Sequence, residues 1–209
     1  MEGNWAVSVM EMLDKITKLV FINLLWILFT LLGLGVFGLF PATASVNALV
    51  RKLFKNEDLT NVFSDFWRYY KASFKSVNLV GIIFMIIAII LYIDIRILFG
   101  TDLMIGKVLL TLLIMLSYIL VATVLNFLPI YAKYQMKTID YLKLSLVTAM
   151  TSPLTTLLMV FWLVIVGIIC IGFTVVIPLL SIVLVSIGIN WISIKKVETK
   201  TLFSQLPKK

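Results

Sequence analysis

The residues that could perform chemistry in this chain are few, and they form no catalytic pattern. The 209 residues include no histidine and one cysteine, Cys170, which excludes a catalytic imidazole, a histidine metal site and an internal disulfide. Hydrolysis inside a membrane would need a nucleophile beside a base, or two carboxylates, and neither pair occurs in the apolar segments. Lipid chemistry at the surface would have only Asp65, Asp94 or Asp140. We therefore expect neither an enzyme nor a bound metal or cofactor.

Three asparagines in apolar segments, Asn23, Asn126 and Asn190, are the remaining polar candidates, together with a few serines and threonines. Carriers driven by ions or protons normally keep an acidic residue at membrane depth, and no apolar segment has a charge in its interior. We therefore expect no ion-driven pump. The asparagines are expected to form hydrogen bonds between helices, with the lining of a passive path as the alternative.

The elements that position these residues are set by an extreme composition. Hydrophobic residues make up 62% and charged residues 13%, and the mean hydropathy is +1.12. From Leu144 to Ile194 the chain has fifty-one residues without a charge, about 76 Å as helix, whereas a bilayer core is only about 30 Å thick. This stretch must cross twice. The sequence predicts an all-α, polytopic integral membrane protein.

Charged segments divide the apolar runs into five predicted crossings, which with amphipathic interfacial helices form a single membrane domain. The crossings are residues 19–40, 77–93, 108–132, 154–173 and 174–192. A turn is predicted near Gly172 and Thr174, with Pro178 in the first turns of the last helix, where a missing N–H costs least. Small residues at near-helical spacing predict a close helix contact, namely Gly38, Ala42, Ser45 and Ala48.

Basic residues predict the orientation, because short cytoplasmic loops collect Lys and Arg. Fourteen of the eighteen lie in residues 41–76, 133–153 and 195–209, which this topology places on one side. The other four are Lys15, Lys18, Arg96 and Lys107. We expect the amino terminus outside the cell and a basic carboxyl-terminal tail, residues 195–209, in the cytoplasm.

An amphipathic segment from Thr60 to Val77 is predicted to lie on the membrane surface, within the basic cytoplasmic segment 41–76. Its rings recur at three- and four-residue steps, and cations favour anionic lipid headgroups. The candidate contacts are Arg51, Lys52, Lys55, Phe63, Phe66, Trp67, Arg68, Tyr70, Lys71, Phe74 and Lys75. They would fix helix tilt or dock a partner. Residues 1–18 form a weaker interfacial helix. The apolar stripe argues for anionic lipid and against nucleic acid.

Several of these stretches resemble the YesL-type bacterial membrane proteins, a family labelled as a domain of unknown function. The resemblance is carried by Asn23-Leu24-Leu25-Trp26-Ile27-Leu28-Phe29, Gly38-Leu39-Phe40-Pro41-Ala42-Thr43-Ala44, Arg51-Lys52, Phe63-Ser64-Asp65-Phe66-Trp67 and Phe74-Lys75. It is sharpest over the first eighty or so residues. It implies no functional residues, but it implies a setting near carbohydrate uptake systems, including sugar permeases.

Two functions from different classes follow. The first is an accessory or scaffold protein that associates with a carbohydrate transporter, such as a sugar permease, or with its regulation, using the Thr60 to Val77 segment. The alternative is a small passive transporter or channel, in which several copies assemble and polar side chains line the path.

Overall fold

The computed structural model describes residues 3–55, 57, 59 and 61–197. Within these residues the chain is all-α, without strands. The helices are α1 (Gly3–Leu32), α2 (Val36–Phe54), α3 (Val62–Leu98), α4 (Met104–Lys133), α5 (Thr138–Thr151), α6 (Pro153–Gly172) and α7 (Val176–Val197). Five of them, α1, α3, α4, α6 and α7, are long and apolar enough to cross a membrane. This confirms the predicted all-α fold with five candidate spans.

The first predicted crossing is two helices rather than one. The run from 19 to 40 breaks at Gly33-Leu34-Gly35, where Leu34 (φ 58°) and Gly35 (φ 74°) both have a positive φ, which cannot continue a right-handed helix. Beyond this turn α2 runs back along α1, and the Trp26 Nε1 atom donates to the Thr43 Oγ1 atom over 3.0 Å. A Cβ on Gly38 would lie 2.5 Å from the Thr30 carbonyl oxygen, so the hairpin closes only with glycine there.

Helix α2 is the centre of the bundle and packs against α1, α3, α4 and α7. Its apolar side chains belong to a core formed with Ile22, Leu25 and Phe29 of α1 and Val183 of α7. Gly38, Ala42 and Ser45 are buried and Ala48 is half-buried. The predicted small-residue face is thus a helix contact in the fold.

The predicted surface helix and the second crossing form one continuous helix. Asn61 caps α3 by accepting from the Ser64 N–H over 3.0 Å, and the helix then runs without a break to Leu98, about 55 Å at 1.5 Å per residue. Phe66 and Tyr70 are buried against Phe29, with ring centroids 5.1 and 5.0 Å apart. The prediction that this stripe rests in lipid headgroups is wrong for these rings, because α1 covers them.

Helix α5 was not anticipated from the sequence. It folds back along α4, so that the Tyr141 ring lies 4.8 Å from the Tyr131 ring and the Tyr118 hydroxyl reaches the Pro153 carbonyl over 3.3 Å. Helices α6 and α7 then pair, and the Trp162 Nε1 atom donates to the Leu184 carbonyl over 2.9 Å. Residues 173–175 separate α6 from α7, close to the predicted turn.

The start of α1 and the end of α2 lie at the same end of their hairpin. Glu11, Asp14, Lys15 and Lys18 line one cleft together with Leu53, Glu57 and Leu59. The described part of α1 is a continuous helix through residue 18, so the predicted interfacial helix 1–18 is not a separate element. Residues 198–209 of the predicted tail lie outside the described residues.

Candidate functional site

Asn23 joins α1 to the backbone of α7. Its Nδ2 atom donates to the Pro178 carbonyl over 2.7 Å, and its Oδ1 atom accepts from the Ile182 N–H over 3.1 Å. A regular α-helix pairs these same two backbone groups with one another, four residues apart. The Asn23 amide therefore bonds, from α1, both members of one donor–acceptor pair of the α7 hydrogen-bond ladder.

Two further side-chain pairs bridge helices in the interior. Asn190 on α7 donates to the Asn47 Oδ1 atom on α2 over 2.8 Å. Asn126 on α4 lies 3.4 Å from the Thr156 hydroxyl on α6. Asn23, Asn126 and Asn190 are at most 3% exposed, so all three act in helix packing.

Asn78 compensates for a proline in α2. Pro41 has no N–H, so the carbonyl of Phe37, four residues earlier, has no partner in the helix. The Asn78 Nδ2 atom on α3 donates to this carbonyl over 2.9 Å. Asn47 and Asn78 were not among the predicted site residues; a proline four residues after Phe37 is the signal that an outside donor is needed.

Arg51 lies inside the bundle. It is 7% exposed, and its Nη1 atom donates to the Ala132 carbonyl over 2.9 Å, at the end of α4. A cation at a helix carboxyl terminus is favoured by the helix dipole and satisfies a carbonyl that the helix leaves open. Arg51 was predicted to contact the membrane surface or a partner, and the structure gives it this internal role.

The predicted contact residues divide into three groups. The surface role is wrong for Arg51, Phe66 and Tyr70, which are buried. Lys52 lies 5.5 Å from the Tyr69 ring centroid and Lys55 pairs with Glu57 over 3.5 Å. The remainder are exposed and consist of Phe63, Trp67, Arg68, Lys71, Phe74 and Lys75. Of these, Arg68 pairs with Asp65.

The outer face of α3, defined here as Phe63, Trp67, Lys71 and Phe74, is a ridge of three aromatic rings and one lysine along the helix. These residues follow each other at steps of four, four and three, so they share one side of the helix. Phe63 and Trp67 are 48% and 47% exposed. One side of the Phe63 and Trp67 rings packs against Phe29 of α1, with ring centroids 6.0 and 5.5 Å apart, and about half of each residue stays exposed.

Tyr141 fixes the link between α4 and α5. Its hydroxyl donates to the Tyr134 carbonyl over 2.6 Å and accepts from the Met136 N–H over 3.0 Å. Burial raises the pKa of the Tyr141 phenol above its ordinary value, and the hydrogen bond from Met136 acts in the opposite direction. The phenol stays neutral and can serve as donor and acceptor at once.

The described residues contain no group of three or more His, Cys, Asp or Glu side chains that could hold a metal ion. Four buried polar atoms there lack a hydrogen-bond partner, namely Thr30 Oγ1, Asn78 Oδ1, Thr155 Oγ1 and Ser186 Oγ. They lie on α1, α3, α6 and α7. The polar side chains described above therefore serve contacts between helices, and the candidate binding surfaces are the exposed faces of the helices.

Comparisons with known proteins point to one family. Residues 19–95 match the family described as "Protein of unknown function, DUF624", a range that covers the second half of α1, all of α2 and most of α3. Over 144 residues the chain is 35% identical to uncharacterized protein YesL of Bacillus subtilis (strain 168), covering 69% of this chain and 68% of YesL. Over 146 residues it is 33% identical to uncharacterized protein YteU of the same organism, covering 70% of this chain and 65% of YteU, less than two thirds of that relative. No solved structure matches.

Proposed function

Because this chain belongs to the family of YesL, the DUF624 proteins, we propose that it is a multi-pass accessory protein that docks on a membrane partner through the outer face of α3. One observation carries the proposal: Phe63 and Trp67 are 48% and 47% exposed, although they border the buried rings of Phe66 and Tyr70 and contact Phe29 of α1 themselves. Exposed aromatic residues beside a cation are typical of contact surfaces. The sugar-uptake setting implied by the resemblance supports a sugar permease as the partner.

Site-specific photo-crosslinking tests this proposal. A photoreactive amino acid in place of Trp67 should crosslink a sugar permease subunit in intact cells, identified by mass spectrometry. The matched control is Leu112 on α4, which is also exposed. Crosslinks from position 67 to lipid alone would leave the ridge an interfacial anchor and would refute partner docking.

A passive transporter or channel is the alternative proposal. It would need Asn23, Asn126 and Asn190 to line an open path, whereas each is buried in contacts between helices. Flux of sugars or ions from liposomes that contain the purified protein, reduced by Asn190→Leu, would favour this function. A flux equal to that of empty liposomes would remove it.

We further propose that the protein lies in the bacterial cell membrane with both termini in the cytoplasm. The sequence-based orientation put Lys15 and Lys18 outside and residues 41–76 inside. Yet Lys15 and Lys18 line one cleft with Leu53 and Glu57, which supports a common side. The α1–α2 hairpin would then enter and leave from the cytoplasmic face. Sixteen of the eighteen basic residues would be cytoplasmic, in better agreement with the positive-inside rule.

Cysteine labelling tests this orientation. Single cysteines at positions 12, 57 and 102, in a Cys170→Ala background, would be treated with an impermeant maleimide. We expect labelling of position 102 in intact cells, and of positions 12 and 57 only after the cells are opened. If position 12 reacts in intact cells while position 57 does not, the sequence-based orientation is right and the proposal is wrong.

A further inference from the structure

An open groove lies between α3, α4 and α5 and is almost entirely apolar. It has a volume of about 410 Å³, within the range of about 300–1,000 Å³ that is usual for ligand sites. Its walls include Ile87 and Leu91 of α3, Leu116 and Leu120 of α4, and Leu146 of α5. Because α3 and α4 are candidate membrane spans, the groove opens toward hydrocarbon.

Two polar residues line this groove, and they differ in what they offer a ligand. The Thr123 hydroxyl donates to the Ile119 carbonyl of its own helix over 2.7 Å. Lys143 on α5 is exposed. The groove is therefore an apolar site with one cation available to a ligand.

Lys143 lies toward one end of the groove. Its neighbour Tyr141 contacts the rings of Phe127 and Tyr131 near the end of α4, and α5 then runs back along α4. Leu91 and Leu116 line the opposite end. The cation therefore lies on the side of the chain's basic segments, where an anionic headgroup of the same leaflet would be found.

We propose that this groove binds an anionic phospholipid, with its phosphate at Lys143 and one acyl chain along the α3–α4 walls. An apolar groove binds no stable water molecule, because an ordered water needs several polar partners. In a bilayer an acyl chain is the apolar group at hand to fill it. Charge complementarity at Lys143 selects anionic over zwitterionic headgroups.

Native mass spectrometry of the full chain tests the site, with phosphatidylglycerol and phosphatidylethanolamine as probes. Lys143→Gln should weaken retention of phosphatidylglycerol about fivefold, the factor that corresponds to about 1 kcal/mol for one Lys near an anionic surface, and should weaken retention of phosphatidylethanolamine less, because its ammonium group already offsets the phosphate charge. Leu120→Trp should fill the groove and reduce retention of both lipids. Lys107→Gln and Leu112→Trp, exposed positions on α4 outside the groove, should retain both like the wild type.

Ile87→Trp fills the groove from the α3 side and serves as a second test if Leu120→Trp does not fold, as judged by its melting temperature without lipid. Equal retention of phosphatidylglycerol by Lys143→Gln and the wild type would overturn the headgroup contact. Unchanged retention by a folded groove-filling variant would overturn the acyl-chain site. Loss of an oligomer on filling the groove would mean that a second copy of the chain occupies it, which also overturns the proposal.

Discussion

Replacing Asn23 by alanine removes the amide that bonds two backbone groups of α7. The Pro178 carbonyl and the Ile182 N–H lose their hydrogen bonds of 2.7 and 3.1 Å. Leaving a buried backbone group unsatisfied costs about 1–3 kcal/mol each. Part of this is recovered where the two groups pair with each other within α7, so we expect a loss of about 2 kcal/mol, above the average of about 0.6 for hydrogen bonds between membrane helices.

The free energy of unfolding can be measured by titration with a denaturing detergent in mixed micelles. A loss of about 2 kcal/mol should lower the melting temperature by roughly 4–8 °C for a chain of this size. Hydrogen exchange at the Ile182 amide should become faster. Thr17→Ala on the same helix is the matched control, because this exposed hydroxyl donates only to the Leu13 carbonyl over 2.9 Å.

A loss below about 0.5 kcal/mol for Asn23→Ala, which is the size of a neutral surface change, would refute the reasoning. It would mean that the Pro178 carbonyl and the Ile182 N–H are satisfied by each other within α7, without help from Asn23. Asn23→Asp sharpens the test, because the carboxylate keeps an acceptor for the Ile182 N–H but loses the donor to the Pro178 carbonyl. We expect it to be at least as unstable as the alanine variant.

Three other substitutions test the packing. Gly188→Ala should cost about 1–3 kcal/mol, because its Cβ would collide with the Trp162 indole. Gly167→Ala is the control, since its Cβ would meet open space, and it should be neutral or stabilising. Equal melting temperatures for the two variants would contradict the predicted collision. Tyr141→Phe should cost about 1–3 kcal/mol by removing the hydrogen bonds to Tyr134 and Met136, with faster amide exchange at Met136 as the check; wild-type exchange would speak against it. Leu34→Gly should raise the free energy of unfolding by about 0.5–1 kcal/mol, measured by chemical denaturation. It relieves a positive φ that costs a leucine about 1–2 kcal/mol, and part of this gain is lost because glycine has more freedom in the unfolded chain. A destabilised variant would show that Leu34 makes a contact that offsets the strain.

Hydropathy was enough to predict an all-α membrane protein and the number of long apolar helices, because transfer into hydrocarbon depends on composition summed over a whole segment. Helix boundaries were less accessible. The break at Gly33-Leu34-Gly35 lies inside an apolar run, where hydropathy does not change, and the backbone conformation of two residues decides it. Helix α5 lies between two apolar runs, and its place beside α4 depends on a tyrosine contact that no periodic pattern reports.

The candidate site divided along the same physical line. The amphipathic period in α3 correctly marked a helix with an apolar stripe, but period alone cannot tell whether protein or lipid covers the stripe. Phe66 and Tyr70 meet Phe29 on another helix, and that pairing depends on the tertiary fold. Arg51 was assigned to the surface because it lies in a basic segment between two predicted crossings, where cations favour anionic lipid headgroups; the open carbonyl at the end of α4 that accommodates it is visible only in three dimensions. Surface roles for Lys71, Lys75 and Trp67 stay predictions.

The bonds from Asn23 and Asn47 to α7 tie the first part of the chain to its last helix. During synthesis α2 emerges long before α7, so Asn47 and the amide of Asn23 must wait for their partners while later segments are still being made. A chain stopped before residue 176 would present these amides to lipid or water instead. We expect membrane proteases to degrade such truncated products, because only a chain that includes α7 satisfies the buried amides of Asn23 and Asn47.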